Sequence, residues 1–185
     1  STSPDFVLAG TCTTSFQTSG ANRSNNIAVG ASRLNNLIVL PGQTVSVSDT
    51  ILPRTRANGY KEAGVYVNGA HTSGLGGGVC QISSTVYNAG KNAGLTVVQR
   101  NPHSMPVSYL PKGLDAAIAA GSKDLKFRND YTTPVVLYTD TSNKHLTVNV
   151  LVWNQELAGR SFKLWAKQTG ALSADTYFTN YQNGK

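Results

Sequence analysis

A run of three glycines leads directly into a cysteine at the start of a helical pattern, and this segment constrains the fold more than any other. It reads Gly76-Gly77-Gly78-Val79-Cys80-Gln81. Glycine tolerates backbone conformations and close approaches that other residues resist. The run therefore predicts a tight turn that delivers Cys80 to a helix N-terminus. Unpaired N–H groups and a partial positive charge at that terminus favour the thiolate, the reactive form of cysteine.

The helix that follows is predicted from about Val79 to Ala93, with Gly94 as its C-cap. One face carries apolar residues that can pack on the core: Val79, Ile82, Val86 and Ala89. The roughly opposite face, or its flank, carries small and polar residues: Cys80, Ser83, Ser84 and Tyr87. Helical phase therefore predicts that Cys80 points away from the core, beside hydroxyl groups.

A second main helix is predicted from about Asn22 to Asn35, where Ile27, Ala31 and Leu34 recur at helical spacing. Short β-prone runs separated by turn residues make up much of the rest: Leu37–Leu40, Gln43–Ser48, Gly64–His71, Leu95–Val98, Val107–Leu110, Leu125–Phe127, Val135–Tyr138 and Leu146–Trp153. Asn68-Gly69 predicts a hairpin, and Ala116–Ala120 fits either a strand or a helical turn. We expect one α+β domain over residues 1–185, with a mostly antiparallel sheet, two main helices and a loosely packed tail at 170–185.

Charge narrows the classes of partner. Sixteen Lys plus Arg against nine Asp plus Glu give a net charge of +7, but the basic residues are scattered and form no tract. This pattern disfavours nucleic acid and leaves an anionic cell wall as a candidate partner. No apolar run is long enough to span a membrane. The chain begins at Ser1 without a signal peptide, so an anchor or export signal removed from its start stays open.

The two cysteines, Cys12 and Cys80, are expected to be free thiols with different roles. One disulfide is possible in an oxidising compartment. Without a second Cys/His cluster the pair makes a poor zinc site, so we expect no metal.

A cysteine nucleophile needs a base, and the candidates are His103 and His71; His145, in a predicted turn, is expected at the surface. His103 lies between two prolines, which stiffen the segment, whereas His71 ends the predicted hairpin. Asp115 is the leading carboxylate to orient the base, although it could equally cap its own turn. Backbone N–H groups of Cys80 and of the glycine run, Gly77 and Gly78, are the expected oxyanion donors.

Several further residues are expected to contact a substrate. Arg54 and Lys61 are candidates for a carboxylate, against the common alternative of solvated charges. The predicted binding set is completed by Tyr60, next to Lys61, and by three residues that follow Cys80: Gln81, Ser83 and Ser84.

From about Ser19 to Phe127 the chain resembles the VanW family. The motifs that carry the resemblance occur in the family's order: Asn22-Arg23, Asn26-Ile27, Leu40-Pro41-Gly42, Asn58–Ala63, Gly76–Gln81, Ser83–Thr85, Tyr87–Ala89, Arg100, His103-Ser104, Pro106–Tyr109, Pro111, Gly113, Asp115-Ala116 and Leu125–Phe127. His71 falls on none of them, and Met105 stands where a basic residue is frequent in the family.

The resemblance implies a bacterial envelope domain outside the cytoplasm, and for some members an L,D-transpeptidase of peptidoglycan. Carried over, Cys80 is the nucleophile, His103 the base and Asp115 a motif residue that supports it. The implied substrates are peptidoglycan stem peptides, joined by 3-3 cross-links through a cysteine thioester. This implied reaction needs no cofactor. A non-catalytic wall-binding module and a cysteine peptidase or carboxypeptidase acting on stem peptides are the competing hypotheses.

Overall fold

A computed structural model describes residues 5–51, 53–67 and 70–185, together with the side chains of all these except 66 and 67. The helices are α1 (Ala21–Leu34), α2 (Val47–Ile51), α3 (Val79–Asn92) and α4 (Asn154–Leu157). The strands are β1 (Phe6–Ser15), β2 (Leu37–Val39), β3 (Thr44–Ser46), β4 (Glu62–Val67), β5 (Ala70–Leu75), β6 (Thr96–Gln99), β7 (Lys126–Arg128), β8 (Val135–Asp140), β9 (His145–Trp153), β10 (Arg160–Gly170) and β11 (Ser173–Gln182).

The largest sheet is antiparallel and has the strand order β1-β9-β8-β2. In β9 every second side chain is buried, from Leu146 to Val152, as expected for a strand with one face on the core. Helix α3 packs on β1 and β9. Gly10 allows this close approach, because a Cβ there would lie 2.2 Å from the carbonyl oxygen of Ala89.

Three smaller antiparallel sheets surround this core: β3-β7-β6, the hairpin β4-β5 and the hairpin β10-β11. The α+β class and the two main helices are therefore confirmed. The hairpin predicted around Gly64–His71 is present as β4 and β5, while its turn at Asn68-Gly69 lies outside the described residues. Within residues 170–185, β11 pairs with β10, although most of its side chains are exposed.

The prediction that the polar face of α3 points outward is wrong, because both faces of the helix are covered. Ser84 is fully buried, and its hydroxyl accepts the N–H of Ala116 at 2.9 Å. Ser83 donates to the carbonyl of Ala116 at 2.6 Å, and Asn88 donates to that of Leu114 at 2.7 Å. The polar face thus satisfies the backbone groups of an irregular segment laid across it.

The irregular segment includes Ala116–Ala120, for which the sequence left a strand and a helical turn open. The structure shows neither. Apart from an isolated bridge between Ala119 and Lys123, the segment is irregular. The strand predicted at Val107–Leu110 is wrong as well, since no strand forms there. Pro106 and Pro111 flank that run and cannot donate to a β-ladder.

The strand predicted at Gln43–Ser48 ends at Ser46, where α2 begins. Ser46 caps that helix by accepting the N–H of Asp49 at 3.0 Å. Asp124 fixes the same junction: its carboxylate accepts the N–H of Ser48 at 3.0 Å and the hydroxyl of Ser46.

Among the described residues, none of the helices has both the length and the apolar character needed to span a membrane.

Candidate functional site

The glycine run forms the turn that starts α3, and each glycine has its own reason to lack a side chain. Gly76 and Gly78 adopt φ angles of 82° and 107°, in the left-handed region that glycine tolerates. A Cβ on Gly77 would lie 2.7 Å from backbone atoms of Ala63 and Gly64. The run is therefore pressed against β4 and could not be built from larger residues.

Two arginine side chains lie on the outer glycines of this run. A Cβ on Gly76 would stand 2.6 Å from Cδ of Arg54, and one on Gly78 would stand 2.8 Å from Cγ of Arg23. The side chain of Arg23 is anchored by a 2.7 Å hydrogen bond from its guanidinium to the hydroxyl of Ser19. The turn that presents Cys80 therefore also packs against both arginines.

Cys80 is the second residue of α3 and is half-buried. Its Sγ lies 3.3 Å from the carbonyl oxygen of Ile118, to which the thiol can donate. The N–H of Ile118 points at the same sulfur from 3.5 Å. The backbone of a single residue, Ile118, thus offers an acceptor to the thiol and a donor to the thiolate.

His103 and Asp115 lie beside this sulfur. Oδ2 of Asp115 is 2.6 Å from Nδ1 of His103 and accepts the backbone N–H of His103 at 2.6 Å. The side chain of His103 lies close enough to that of Cys80 for each group to shift the pKa of the other. Since Nδ1 is engaged by the carboxylate, Nε2 is the ring atom left for the sulfur.

Arg100 fixes the loop that carries Asp115. Its guanidinium donates to the carbonyl oxygens of Asp115 at 2.8 Å and Gly113 at 3.2 Å, and it stands 3.8 Å from Oδ1 of Asp115. Thr176 of β11 donates to the same Gly113 carbonyl at 2.7 Å. The carboxylate is therefore held by contacts from outside its own loop.

The three side chains shift one another's protonation. Burial raises the pKa of the Cys80 thiol, but the hydrogen bonds from His103 and Ile118 and the charges of His103 and Arg54 outweigh it, so the pKa is lowered. Burial lowers the pKa of His103, yet the hydrogen bonds to Asp115 and Cys80 raise it to about 9. The pKa of Asp115 falls, because hydrogen bonds from His103 overcome its burial. At neutral pH these directions favour a thiolate paired with an imidazolium.

The other thiol contrasts with this one. Cys12 is half-buried in β1, and burial raises its pKa to about 11 despite the charge of Lys163. Both cysteines are free, as expected. Cys12 does not line the cleft in which Cys80 lies, and it therefore serves as an internal control for thiol chemistry.

A cleft of about 1280 Å³ opens over Cys80 and His103. Its lining includes the permanent cations Arg23, Arg54 and Lys123, and none of the described residues that line it is Asp or Glu. The site is therefore electropositive and open enough for an extended ligand.

Backbone amides at the start of α3 differ in their availability. The N–H of Gly77 lies 3.4 Å from the carbonyl oxygen of Gly74 and is engaged. Within residues 5–51, 53–67 and 70–185, the N–H groups of Gly78 and Cys80 have no hydrogen-bond acceptor. The free donors near the sulfur are thus those of Gly78 and Cys80.

The structure brings only some of the residues predicted to contact a substrate to the cleft. Gly77, Gly78, Arg54 and Gln81 line the cleft, whereas Tyr60, Ser83 and Ser84 do not. Tyr60 is a core residue, 1% exposed, whose hydroxyl donates to the carbonyl of Ile51 at 2.6 Å. Ser83 and Ser84 hold the Ala116 segment, as described above, and Lys61 lies outside the cleft lining.

The other two histidines are also located. His71 lies on β5 and also lines the cleft, and His103 is the histidine that shifts the pKa of Cys80. His145 is the first residue of β9, outside the cleft lining, with Nδ1 2.9 Å from the carbonyl oxygen of Asn143.

Sequence reasoning did not assign roles to Arg23, Arg100, Tyr109 or Ile118, all of which surround the triad or line its cleft. Arg23, Arg100 and Tyr109 occur in the family motifs, but only as motif residues. No spacing rule could place Ile118 at the sulfur, because the contact joins residues 38 apart through an irregular segment. The described residues contain no group of three or more His, Cys, Asp or Glu able to hold a metal ion.

The fold and the site define an α+β domain that brings a cysteine, a histidine and an aspartate together beside a basic cleft. The chain belongs to the VanW-like protein family, whose model matches residues 22–151. No solved structure matches the chain.

Two curated relatives extend the comparison. The chain is 42% identical over 124 residues to the uncharacterized protein YoaR of Bacillus subtilis (strain 168), a match covering 67% of this chain and 41% of the relative. It is 35% identical over 114 residues to the vancomycin B-type resistance protein VanW of Enterococcus faecalis (strain ATCC 700802 / V583), covering 59% of this chain and 42% of the relative. The matches thus span less than half the length of either relative.

Proposed function

We propose that this domain is a peptidoglycan L,D-transpeptidase that forms 3-3 cross-links through a thioester on Cys80. One observation carries the proposal: Cys80 and His103 interact at the wall of an open cleft, and the carboxylate of Asp115 holds Nδ1 of His103. A thiolate, a ring nitrogen to move protons and a carboxylate to orient the ring are what acyl transfer to cysteine requires.

In the first step the Cys80 thiolate attacks the carbonyl carbon between the third residue of a donor stem and its terminal D-Ala. The N–H groups of Gly78 and Cys80, which have no acceptor in the described part of the chain, are the donors for the resulting oxyanion. The imidazolium of His103 then gives its proton to the departing amine. The C–N bond breaks, D-Ala leaves, and the donor remains on Cys80 as a thioester.

Acylation prepares His103 for its second task. Part of the rise in its pKa comes from the hydrogen bond and charge of Cys80, and both are lost when the sulfur is acylated. The neutral ring can then accept a proton from the side-chain amine of a second stem. That amine attacks the thioester, the cross-link forms, and the Cys80 thiolate is released.

The lining of the cleft suits a peptide that bears a carboxylate. Arg54 supplies a cation close enough to act on the thiol. Such a substrate places the domain outside the cytoplasm, in the cell envelope of a bacterium, consistent with the resistance named for one relative.

Two other functions share parts of this site. Water as the acceptor would make the same triad a carboxypeptidase. A non-catalytic module that binds an anionic wall is favoured by the net charge of +7 and the basic cleft.

Product analysis on purified disaccharide-tetrapeptide muropeptides separates these functions. We expect 3-3 dimers and free D-Ala from the wild type and from Cys12→Ala, and neither product from Cys80→Ala. Tripeptides without dimers would replace the transpeptidase with a carboxypeptidase. Wall binding equal in wild type and Cys80→Ala, with no product from either, would leave only the binding module.

A further inference from the structure

We infer that Arg23 and Arg54 form a two-arginine anion site beside Cys80, which selects an acyl donor carrying two carboxylates near the reacting carbonyl. The inference rests on the proposed function for the identity of the donor. The anion site itself rests on the charges and contacts of the cleft.

The first argument is the lack of any compensating acid. Neither Arg23 nor Arg54 has a carboxylate within 4.0 Å among the described residues, although both are half-buried. Arg100, another half-buried arginine, stands 3.8 Å from Asp115. A cation taken partly out of water without a partner is costly, and an incoming anion relieves that cost.

The second argument is position. Arg23 comes from α1 and Arg54 from the loop after α2, yet both side chains pack on the turn that presents Cys80, over Gly78 and Gly76. Each interacts electrostatically with the Cys80 thiolate. Two cations from different elements therefore act on the reacting atom, enough for two separate anionic groups.

The third argument is the orientation of Arg23. Its guanidinium donates to Ser19 at 2.7 Å and lies 6.0 Å from the ring centroid of Tyr109, which also lines the cleft. These contacts restrain the side chain without neutralising it. A preorganised guanidinium matches a carboxylate in shape and charge.

Alkylation of Cys80 tests the anion site without any peptidoglycan. Iodoacetate and iodoacetamide each form an Sγ–C bond and expel iodide, but only iodoacetate is negatively charged. Changes in the thiolate fraction affect both reagents equally, so the ratio of their rates reports the local potential. The parent protein carries Cys12→Ala, which leaves one thiol.

We expect Arg23→Gln to lower the iodoacetate-to-iodoacetamide ratio by roughly tenfold, at the low end of the effect of a one-sign cleft on anion concentration. Arg54→Gln should act in the same direction and provides a second variant should Arg23→Gln fold poorly. Arg33→Gln is the matched control, because Arg33 lies on the same helix outside the cleft. An unchanged ratio in Arg23→Gln, or an equal fall in Arg33→Gln, overturns the anion site.

Acylation by donors with free or amidated carboxylates then tests selectivity. The parent should prefer the doubly carboxylated tetrapeptide, and Arg23→Gln should lose the preference for one of its two carboxylates. If no donor acylates Cys80 while the reagent ratio falls as expected, the proposed function fails and the anion site stands. If donors acylate Cys80 but neither readout responds to Arg23→Gln, the anion site fails and the proposed function stands.

Discussion

Asp115 holds His103 through a single carboxylate oxygen, Oδ2, which lies 2.6 Å from the backbone nitrogen of His103 and 2.6 Å from its Nδ1. Because both donors belong to one residue, the carboxylate fixes the position of the histidine and the direction of its ring together. Nε2 is then the ring nitrogen left to exchange a proton with Cys80. Arg100 and Thr176 of β11 hydrogen-bond to the loop that carries Asp115, so residues outside that loop help to hold the carboxylate in place.

Replacing Asp115→Asn should lower the pKa of His103 from its value of about 9, because a neutral amide no longer stabilises the imidazolium. NMR titration of the histidine ring measures this change. Cross-linking should fall by about 10²–10⁴-fold, the range for disturbing a general acid–base group. A titration of His103 unchanged by the substitution would show that the carboxylate does not control the ring.

The same pair has a stability consequence. The pKa of His103 is higher in the folded protein than its ordinary value of 6.5. Its contribution to the free energy of unfolding is therefore fully present below about pH 6.5, while Asp115 remains ionised, and is lost as the pH rises through about 9. The difference in urea unfolding between wild type and Asp115→Asn should accordingly narrow at high pH.

Replacing His103→Ala should raise the pKa of the Cys80 thiol above its wild-type value. The hydrogen bond and positive charge are removed, while burial still opposes ionisation. The pH profile of Cys80 alkylation by iodoacetamide, in the Cys12→Ala background, measures the shift. If the profile stays in place, the Ile118 amide and Arg54 alone account for the lowered pKa.

Replacing Gly77→Ala should destabilise the fold by about 1–3 kcal/mol, because the new Cβ must displace backbone and not a flexible side chain. Gly64→Ala is the matched control, since a Cβ there meets nothing within 4 Å. Urea unfolding compares the two. Equal stability of both variants would mean that the turn can move away from β4.

Period and capping patterns predicted much of this fold. The limits of α1 and α3 agree with their apolar spacing, and β8 and β9 contain the β-prone runs Val135–Tyr138 and Leu146–Trp153. The failures occurred where long-range contacts decide. Val107–Leu110 has strand composition but is bounded by prolines, and the hydroxyl face of α3 is buried under a segment that no local pattern identifies.

The site divides in the same way. Local sequence is enough to select the glycine run and Cys80. It also offers His103 as a candidate base for Cys80 and Asp115 as a candidate carboxylate to orient that base. The Ile118 amide at the sulfur and the arginines on Gly76 and Gly78 could not be selected in this way, because these contacts arise only when distant segments pack. Tyr60 is predicted to contact a substrate, yet it lies in the core, where its hydroxyl donates to the carbonyl of Ile51.

Intact-mass analysis after exposure to a tetrapeptide stem tests the central claim most directly. We predict that the wild type and Cys12→Ala gain the mass of the donor minus D-Ala, that the adduct maps to Cys80, and that Cys80→Ala gains none. Absence of the adduct from protein whose Cys80 still reacts with iodoacetamide, or an adduct retained in Cys80→Ala, would contradict it.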